Sequence, residues 1–300
     1  MKTYKNKLLV VVGPTTSHKT ALSVKLAQLF NGEIINADAF QVYQDMSIGT
    51  NAPTQEELNG AKFHFNQFLK MDETWDIKKF QELANKKIKE LHQQNKLPIL
   101  VGGSNLYVEA IIKNYDLSGL GRTNEYEHLT NEELLDIVKS FNQELASKLV
   151  NNRKRLTRTV QVLKETNDPL ALQKQKESPY DYLMIECNYI TRTDLYNSIN
   201  TKVDQMIKDG WVDEVKKLMQ LYPNLDWLKN NAFKAIGYRD IYLALVNKTE
   251  VNWDKVKQQI RRYAKRQITW IKNKYQDDRI RFLQTNEKEV IESVKQWINK

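Results

Sequence analysis

The stretch formed by residues 8–20 reads LLVVVGPTTSHKT and joins an apolar run to a polar turn. Leu8–Val12 is short and rich in β-branched side chains, which is typical of a buried parallel strand. Gly13–Thr20 nearly matches G-x-x-x-x-G-K-[ST], the pattern of a phosphate-binding loop between a strand and a helix. Backbone N–H groups in such a loop point at phosphate oxygens, assisted by the helix N-terminus. His18 stands where the pattern expects glycine, and it costs conformational energy if that backbone has positive φ.

Strands and helices alternate over the first third of the chain. Thr20–Phe30 has apolar residues at helical spacing, and Glu33–Asn36 reads as a second strand. A helix is predicted over 77–92, with an apolar face made of Phe80, Leu83, Ala84, Ile88 and Leu91. A further strand, Ile99–Val101, ends in a Gly-Gly-Ser turn. This alternation predicts an α/β fold, a P-loop protein with a doubly wound parallel sheet.

The pattern changes after residue 114. Two glycines among polar residues make 116–123 a linker candidate, and Thr130–Glu133 has capping-box form, which predicts a helix to about Val150. Residues 194–221 and 256–274 have helical periodicity, with a break near Gly210 in the first of them. We therefore expect a first part of the P-loop core at 1–114, a helical insertion at 115–152, and the remainder of the core with a basic helical C-terminal region at 153–300.

Composition limits the classes of protein that fit. The 300 residues are 41% hydrophobic and 28% charged, enough for a buried core and unlike a disordered chain. The single cysteine excludes an internal disulfide and a cysteine-based zinc site, which fits a reducing, cytoplasmic setting. No run of 18 apolar residues is present, and the first seven residues are too polar for a signal peptide. The net charge of +9 favours a polyanionic partner.

Polar residues follow three of the predicted strands. Gly13–Thr20 follows the first strand, Asp38 the second, and Gly102-Gly103-Ser104 the third. Because the carboxyl ends of parallel strands form the ligand-binding edge of such sheets, these groups indicate phosphate chemistry. A carboxylate beside phosphate can act as a metal ligand or a general base, although Asp38 could equally be a turn residue.

Two basic clusters suggest a nucleic-acid partner. Arg153–Arg155 and Arg158 form one, and residues 255–274 contain eight lysines or arginines and no acid. Tyr263 and Trp270 lie within the second cluster. Cations that contact phosphate, combined with aromatic side chains that stack on bases, are typical of RNA binding. The alternative for either cluster is a solvated helix face.

These residues together resemble the bacterial tRNA dimethylallyltransferase family, also called tRNA isopentenyltransferases. The resemblance runs through ordered blocks: Gly13–Thr20, Asp38–Tyr43 (DAFQVY), Ile48–Thr50, Pro98–Tyr107 (PILVGGSNLY), Arg155–Arg158, Arg192 with Leu195-Tyr196, Ala235–Tyr238 and Arg261–Trp270 (RRYAKRQITW). A generic P-loop kinase has no reason to carry the last block. The resemblance implies a P-loop core with a helical insertion, a channel for dimethylallyl diphosphate, and a tRNA anticodon stem-loop whose adenosine 3′ of the anticodon is flipped into it.

The resemblance also implies roles for individual residues. Asp38 is expected to accept a proton from the exocyclic amine of adenine, and Ser104, which stands where the family has threonine, to bond the leaving oxygen. With Lys19 these form the expected catalytic set. Diphosphate is expected on Gly13, Pro14, Thr15, Thr16, Ser17, His18, Lys19, Thr20 and Arg192, with Mg²⁺ on Thr20. Contacts with tRNA are expected from Asp38, Ala39, Phe40, Gln41, Lys154, Arg155, Arg158 and Arg261.

The chain also departs from the family pattern. Besides His18, Ala39 replaces a serine and Ala52 a lysine, while Ser198 and Lys202 stand where the family has arginines. The segment between residues 115 and 153 is shorter than the family's insertion. Two alternatives therefore stay open beside the transferase: a catalytically weakened relative that binds tRNA, and a P-loop small-molecule kinase. The expected partners are tRNA and dimethylallyl diphosphate, with no membrane, and a monomer is expected.

Overall fold

The computed structural model describes residues 4–117, 125–169, 177–275 and 279–300. They divide into two compact units, one formed by Met1–Ile112 with Pro179–Lys300 and the other by Lys113–Ser178. The second unit therefore extends beyond the 115–152 segment expected from the sequence. Most of the predicted 116–123 linker lies outside the described residues. No helix in the described ranges has the length and apolar character needed to cross a bilayer.

A six-stranded, fully parallel sheet forms the centre of the first unit, which confirms the predicted fold class. Its strands in chain order are β1 (Lys7–Val12), β2 (Gly32–Asn36), β3 (Phe63–His64), β4 (Leu97–Gly102), β5 (Asp181–Cys187) and β6 (Arg279–Phe282). They lie side by side in the order β3-β2-β4-β1-β5-β6. Because β1 lies between β4 and β5, the turns that follow these three strands meet at one edge.

Helices fill the connections between the strands. Those of the first unit are α1 (Lys19–Phe30), α2 (Gln55–Leu58), α3 (Ile77–Gln93), α4 (Asn105–Ile112), α8 (Arg192–Lys208), α9 (Trp211–Leu221), α10 (Tyr238–Asn247), α11 (Trp253–Lys274) and α12 (Glu287–Ile298). The predicted break near Gly210 is confirmed, because Gly210 has φ 93° and caps α9. The remaining helices, α5 (Asn131–Lys139), α6 (Gln143–Leu149) and α7 (Arg153–Thr166), belong to the second unit.

The strand β1 shows how the sheet separates two cores. Leu8, Val10 and Val12 face one core, and Leu9 and Val11 face the other, all with no exposed surface. Alternate residues of a strand point to opposite faces, so a strand covered on both faces must be apolar throughout. The core on the Leu8 side includes residues of α3, α4, α9, α10 and α11, and the other includes residues of α1 and α12.

Two local predictions were wrong. The helix expected from Thr130 to Val150 is interrupted, since α5 ends at Lys139 and Asn142 caps a new helix by accepting a hydrogen bond from Leu145 N at 2.8 Å. The side chain of an N-cap asparagine satisfies a backbone donor that would otherwise be unpaired, which favours a fresh start. Leu83 of α3 is 38% exposed rather than buried, so the apolar face of that helix is narrower than its sequence pattern suggested.

The second unit has a small core of its own. Leu134, Val138, Leu149, Leu156 and Val160, from its three helices, are buried against one another. Its first helix has the predicted capping box, in which Thr130 and Glu133 exchange hydrogen bonds between side chain and backbone.

Candidate active site

The turn between β1 and α1 is folded around the carbonyl of Pro14. Ser17 Oγ donates to this oxygen at 2.8 Å and Lys19 Nζ at 2.6 Å. Gly13 is required at the start of the turn, because a Cβ there would lie 2.2 Å from the carbonyl oxygen of Cys187 on β5. The predicted strand–turn–helix unit is confirmed, with its glycine fixed by close packing against the neighbouring strand.

Two residues of this turn have left-handed backbones: Thr16 at φ 64° and His18 at φ 60°. Such residues flanking a tight turn orient neighbouring N–H groups toward one point, which creates an anion-binding concavity. The N–H groups of His18, Lys19 and Thr20 have no hydrogen-bond acceptor among the described residues. They are the free donors expected at a helix N-terminus, and they are available to phosphate oxygens.

A cavity of about 610 Å³ opens beside this turn in the first unit. The part beside residues 15–20 of the turn and Asp38 is polar, and we call it the polar end. The lining also includes an apolar strip from α8, where Ile199, Val203 and Met206 are buried at helical spacing. The cavity thus combines a place for charge with a place for a short hydrocarbon chain.

Asp38 lies directly beyond β2 and faces this cavity. Its Oδ1 accepts hydrogen bonds from Phe40 N at 2.8 Å and from Gln41 N at 3.2 Å, so Asp38 also forms the turn that the sequence allowed as the simpler interpretation. Burial raises the pKa of the carboxyl above its ordinary value, and these two bonds and the charge of Lys19 limit the rise. A carboxylate with a raised pKa is a better proton acceptor, so the turn role and a general-base role are compatible.

Ser104 connects the turn after β4 to the Asp38 loop. Its Oγ accepts a hydrogen bond from Ala39 N at 3.1 Å, and its own N–H donates to Ala37 O at 3.3 Å. Its side chain also hydrogen-bonds the phenol of Tyr263 on α11. Tyr263 lines the cavity and its hydroxyl donates to Gly103 O at 3.3 Å. The hydroxyl of Ser104 is therefore hydrogen-bonded to Ala39, the residue that follows Asp38 in the chain.

Gln267 on α11 connects the turn between β1 and α1, residues 13–20, which we call the phosphate-type turn, to the turn after β4. Its Oε1 accepts from Thr15 N at 3.0 Å and its Nε2 donates to Gly103 O at 2.9 Å. The side chain is buried, and Gly103 has no room for a Cβ because it would lie 2.3 Å from Nε2. The sequence analysis missed Gln267 and named Tyr263 only as an aromatic side chain that could stack on bases, although both lie in the Arg261–Trp270 block at a helical spacing of four.

The Ile48–Thr50 and Ala235–Tyr238 blocks have a structural function. Buried Glu214 of α9 accepts from Ile48 N at 2.7 Å, from Gly49 N at 3.2 Å and from the hydroxyl of Tyr238 at 2.7 Å. A Cβ on Gly49 would lie 2.0 Å from Trp211 Nε1, and one on Gly237 would lie 2.2 Å from the same ring. These contacts fix the loop that brings Gly49 and Thr50 to the cavity wall.

Positive charge surrounds the polar end of the cavity. Burial lowers the pKa of Lys19 to about 8, while the nearby Asp38 opposes this shift. Lys19 is therefore mostly protonated at pH 7, and a bound anion would favour the protonated form further. Lys202 and Arg266 also line the cavity, and neither side chain forms a hydrogen bond or ion pair with another described residue.

Arg192 does not line the cavity, contrary to its predicted place at the diphosphate. It is exposed on the first turn of α8, where it donates to the hydroxyl of Tyr196 at 2.7 Å. The cavity face of α8 carries Ser198 and Lys202, four residues apart, and Arg192 precedes them on a different face of the helix. Of the cations considered on this helix, Lys202 is the one that reaches the cavity.

The residues predicted to contact tRNA are distributed over both units. Phe40 lines the cavity, Ala39 is half-buried beside it, and Gln41 donates to the carbonyls of Thr50 and Asn51. Arg261 is half-buried and donates to Asn200 Oδ1 at 2.7 Å. In the second unit, Lys154 and Arg155 are exposed on the first turn of α7, and Arg158 donates to Gln161 Oε1 at 2.7 Å.

A magnesium ion is implied by the resemblance, and the residues present are compatible with one. Within the described ranges no group of three or more His, Cys, Asp or Glu side chains could hold a metal ion. Mg²⁺ needs few protein ligands when a phosphate and waters supply the others. The hydroxyl of Thr20 faces the cavity without a hydrogen-bond partner in the described part of the chain. Thr20 would hold an ion that arrives with a diphosphate.

The parallel sheet, the turn after β1 and the cavity beside it define an α/β protein of the P-loop fold class. Comparison with known proteins agrees with this class. The family model described as IPP transferase matches residues 41–274. The chain is 41% identical to the tRNA dimethylallyltransferase of Malacoplasma penetrans over 280 residues, which cover 91% of this chain and 92% of the relative.

Two solved structures extend the likeness. One is the full-length tRNA isopentenylpyrophosphate transferase of Bacillus halodurans, with a TM-score of 0.75, 32% identity, and coverage of 98% of this chain and 97% of that one. The other is a eukaryotic dimethylallyltransferase acting on tRNA, with a TM-score of 0.83, 25% identity, and coverage of 97% and 77%. The chain belongs to the IPP transferase family.

Proposed function

We propose that this protein transfers a dimethylallyl group from dimethylallyl diphosphate to the exocyclic amine of the adenosine 3′-adjacent to the anticodon in tRNA. One observation carries the proposal: a single cavity contains free backbone donors and cations at one end and the Asp38 carboxylate beside them. Family membership, together with relatives named for this reaction, supports the same conclusion.

The reaction needs charge stabilisation at the leaving group. The C–O bond of the donor breaks with its electron pair going to diphosphate, while the amine nitrogen bonds to the allyl carbon. Lys19 and the N–H groups of the turn would hold the diphosphate as its negative charge grows, and preorganised donors of this kind often supply the largest catalytic contribution. Magnesium on Thr20 would neutralise part of that charge. Ser104 lies outside the cavity lining and its hydroxyl bonds the phenol of Tyr263, so it would have to turn away from that phenol to donate to the departing oxygen.

The nucleophile must lose a proton as the new C–N bond forms. Asp38 is the carboxylate at the polar end of the cavity, and burial makes it a better acceptor than an exposed aspartate. An adenine amine is a weak nucleophile, so its placement opposite the allyl carbon also matters. The apolar strip of Ile199, Val203 and Met206 would receive the five-carbon chain and exclude water from the allyl cation.

The decisive experiment combines purified protein, dimethylallyl diphosphate, Mg²⁺ and a synthetic anticodon stem-loop, followed by mass spectrometry of the RNA. The expected result is a mass increase of one dimethylallyl group on the adenosine 3′ of the anticodon. A stem-loop with uridine at that position is the matched control and should stay unmodified. Unmodified RNA in both reactions, at substrate concentrations that saturate family enzymes, would refute the proposal.

The same reactions separate the alternatives. A weakened relative would bind the stem-loop in a gel-shift assay while the mass of the RNA stays unchanged. A small-molecule kinase would consume ATP and would be indifferent to RNA. The family match covers residues 41–274, including the Arg261–Trp270 block that a P-loop kinase lacks, which favours the transferase over the kinase.

A further inference from the structure

A polar network beside the phosphate-type turn involves a residue outside the predicted site. Tyr189 follows β5, and its hydroxyl oxygen lies 2.7 Å from Thr16 O, 3.1 Å from His18 Nε2 and 2.7 Å from Ser198 Oγ. The ring of Tyr189 also packs against the imidazole at a centroid distance of 5.9 Å. One side chain thus contacts both left-handed residues of the turn.

The directions of these hydrogen bonds follow from the number of protons that each group can donate. A phenol has one proton, and the carbonyl of Thr16 can only accept, so Tyr189 donates to Thr16. Ser198 and the imidazole must then donate to the phenol oxygen. The imidazole therefore carries a proton on Nε2 in this arrangement.

The network compensates for an unfavourable backbone. Left-handed conformations are costly for residues other than glycine, and they persist where surrounding contacts hold them. Thr16 and His18 both have this conformation, and the hydroxyl of Thr16 is buried without a partner. A glycine at position 18 would adopt the same φ without a comparable cost. With histidine there, the turn depends more strongly on its contacts outside the loop.

We propose that Tyr189 is a positioning residue that holds the Thr16–His18 segment in its anion-binding conformation. Only the identity of the anion, the diphosphate of an allylic donor, rests on the proposed function. The hydroxyl of Tyr189 keeps the N–H groups of the turn converged, so removing it weakens anion binding without removing a group that touches the reacting atoms. Tyr189 therefore matters in this chain because His18 replaces the glycine of the pattern.

The test measures the dissociation constant of inorganic pyrophosphate by calorimetry, in the presence of Mg²⁺ and without RNA or prenyl donor. Four proteins are compared: wild type, Tyr189→Phe, His18→Gly and the double variant. Loss of a single hydrogen bond to a constrained carbonyl predicts a fivefold to tenfold weaker affinity for Tyr189→Phe. In the His18→Gly background, Tyr189→Phe should weaken pyrophosphate affinity threefold or less, because glycine relieves one of the two strained positions.

Tyr222→Phe is the matched control, since its hydroxyl accepts from Met71 N at 3.4 Å and lies outside the cavity lining. Its pyrophosphate affinity should equal that of wild type. In steady-state prenyl transfer, Tyr189→Phe should raise the KM for the donor and leave kcat within twofold. Ser198→Ala removes one partner of the Tyr189 hydroxyl and is a milder change. Thermal unfolding of every variant distinguishes a loss of folding from a loss of the positioning contact.

Two results would overturn the inference: an unchanged pyrophosphate affinity in Tyr189→Phe, or an equal fold-loss with histidine and with glycine at position 18. A wild type that binds no pyrophosphate would overturn it as well. If pyrophosphate binds with the predicted coupling but no prenyl group reaches RNA, the positioning role of Tyr189 stands and the proposed function fails.

Discussion

Replacing Gln267 by leucine tests whether α11 holds the candidate active site together. Leucine has nearly the same size, so the change removes polar atoms without opening a large cavity. Thr15 N–H loses its acceptor, while Gly103 O keeps the longer bond from Tyr263 at 3.3 Å. An unsatisfied buried donor costs about 1–3 kcal/mol, and because Thr15 is only partly buried and lines the cavity we expect a loss at the lower end, about 1 kcal/mol, in the free energy of unfolding.

The change should also affect function, because Thr15 belongs to the turn that binds phosphate. We expect the KM for dimethylallyl diphosphate to rise about tenfold or more, which corresponds to about 1.4 kcal/mol of lost binding. Gln267→Glu would keep the acceptor for Thr15 N–H but place a carboxylate oxygen against Gly103 O. Its charge beside the diphosphate should raise the donor KM further than leucine does.

The measurements are urea unfolding and steady-state prenyl transfer at varied donor concentration. Gln258→Leu is the matched control, since Gln258 is exposed on the same helix and its side chain forms no hydrogen bond with another described residue. Its unfolding free energy should change by less than about 0.5 kcal/mol. If Gln267→Leu matched this control in both stability and donor KM, the proposed link between α11 and the two turns would be wrong.

Three further predictions follow from other contacts. Lys62, Lys96 and His64 hold the pKa of buried Glu33 at about 2. The charged form therefore stabilises the fold by roughly 3 kcal/mol above about pH 5, and this contribution should disappear toward pH 2. Glu33→Gln should lower the free energy of unfolding at pH 7 and weaken its dependence on pH in the acid range, as measured by denaturant titrations. Asp38→Asn should reduce prenyl transfer at least a hundredfold while retaining pyrophosphate affinity within a few-fold, and a near-normal rate would exclude a base at this position. Gly49→Ala should destabilise the fold by about 2 kcal/mol, because the new Cβ clashes with Trp211. The effect should exceed that of Gly60→Ala, where φ is 78° but no atom lies within 4 Å of the new Cβ. Equal decreases in the melting temperature of the two variants would contradict a clash at Gly49.

Much of the fold was predictable because its signals are local. The β-branched run of β1, the pattern of Gly13–Thr20 and the break at Gly210 depend on neighbouring residues, and all three are confirmed. Short elements gave weaker signals. The strands β3, β5 and β6 were not predicted; β3 and β6, with two and four residues, are too short to show a recognisable periodicity, but β5 has seven residues.

The site was predicted in part. Asp38, Lys19 and Thr20 line one cavity, as expected from their positions after neighbouring parallel strands. Arg192 does not, because the orientation of α8 around its own axis is decided by the packing of Leu195 and Ile199. A sequence pattern fixes which residues share a helix face, but the surface that this face meets is a tertiary property.

The sequence by itself determined a strand, a phosphate-type turn and a helix, the parallel α/β class, and the family blocks in their order. Tertiary structure alone decided which side chains support the turn: Gln267, 252 residues after its partner Thr15, and Tyr189, 173 residues after Thr16. The physical reason is the range of the interactions. Backbone conformation and hydrophobic periodicity act over a few residues, whereas a hydrogen bond between distant segments exists only after the whole sheet and its helices have packed.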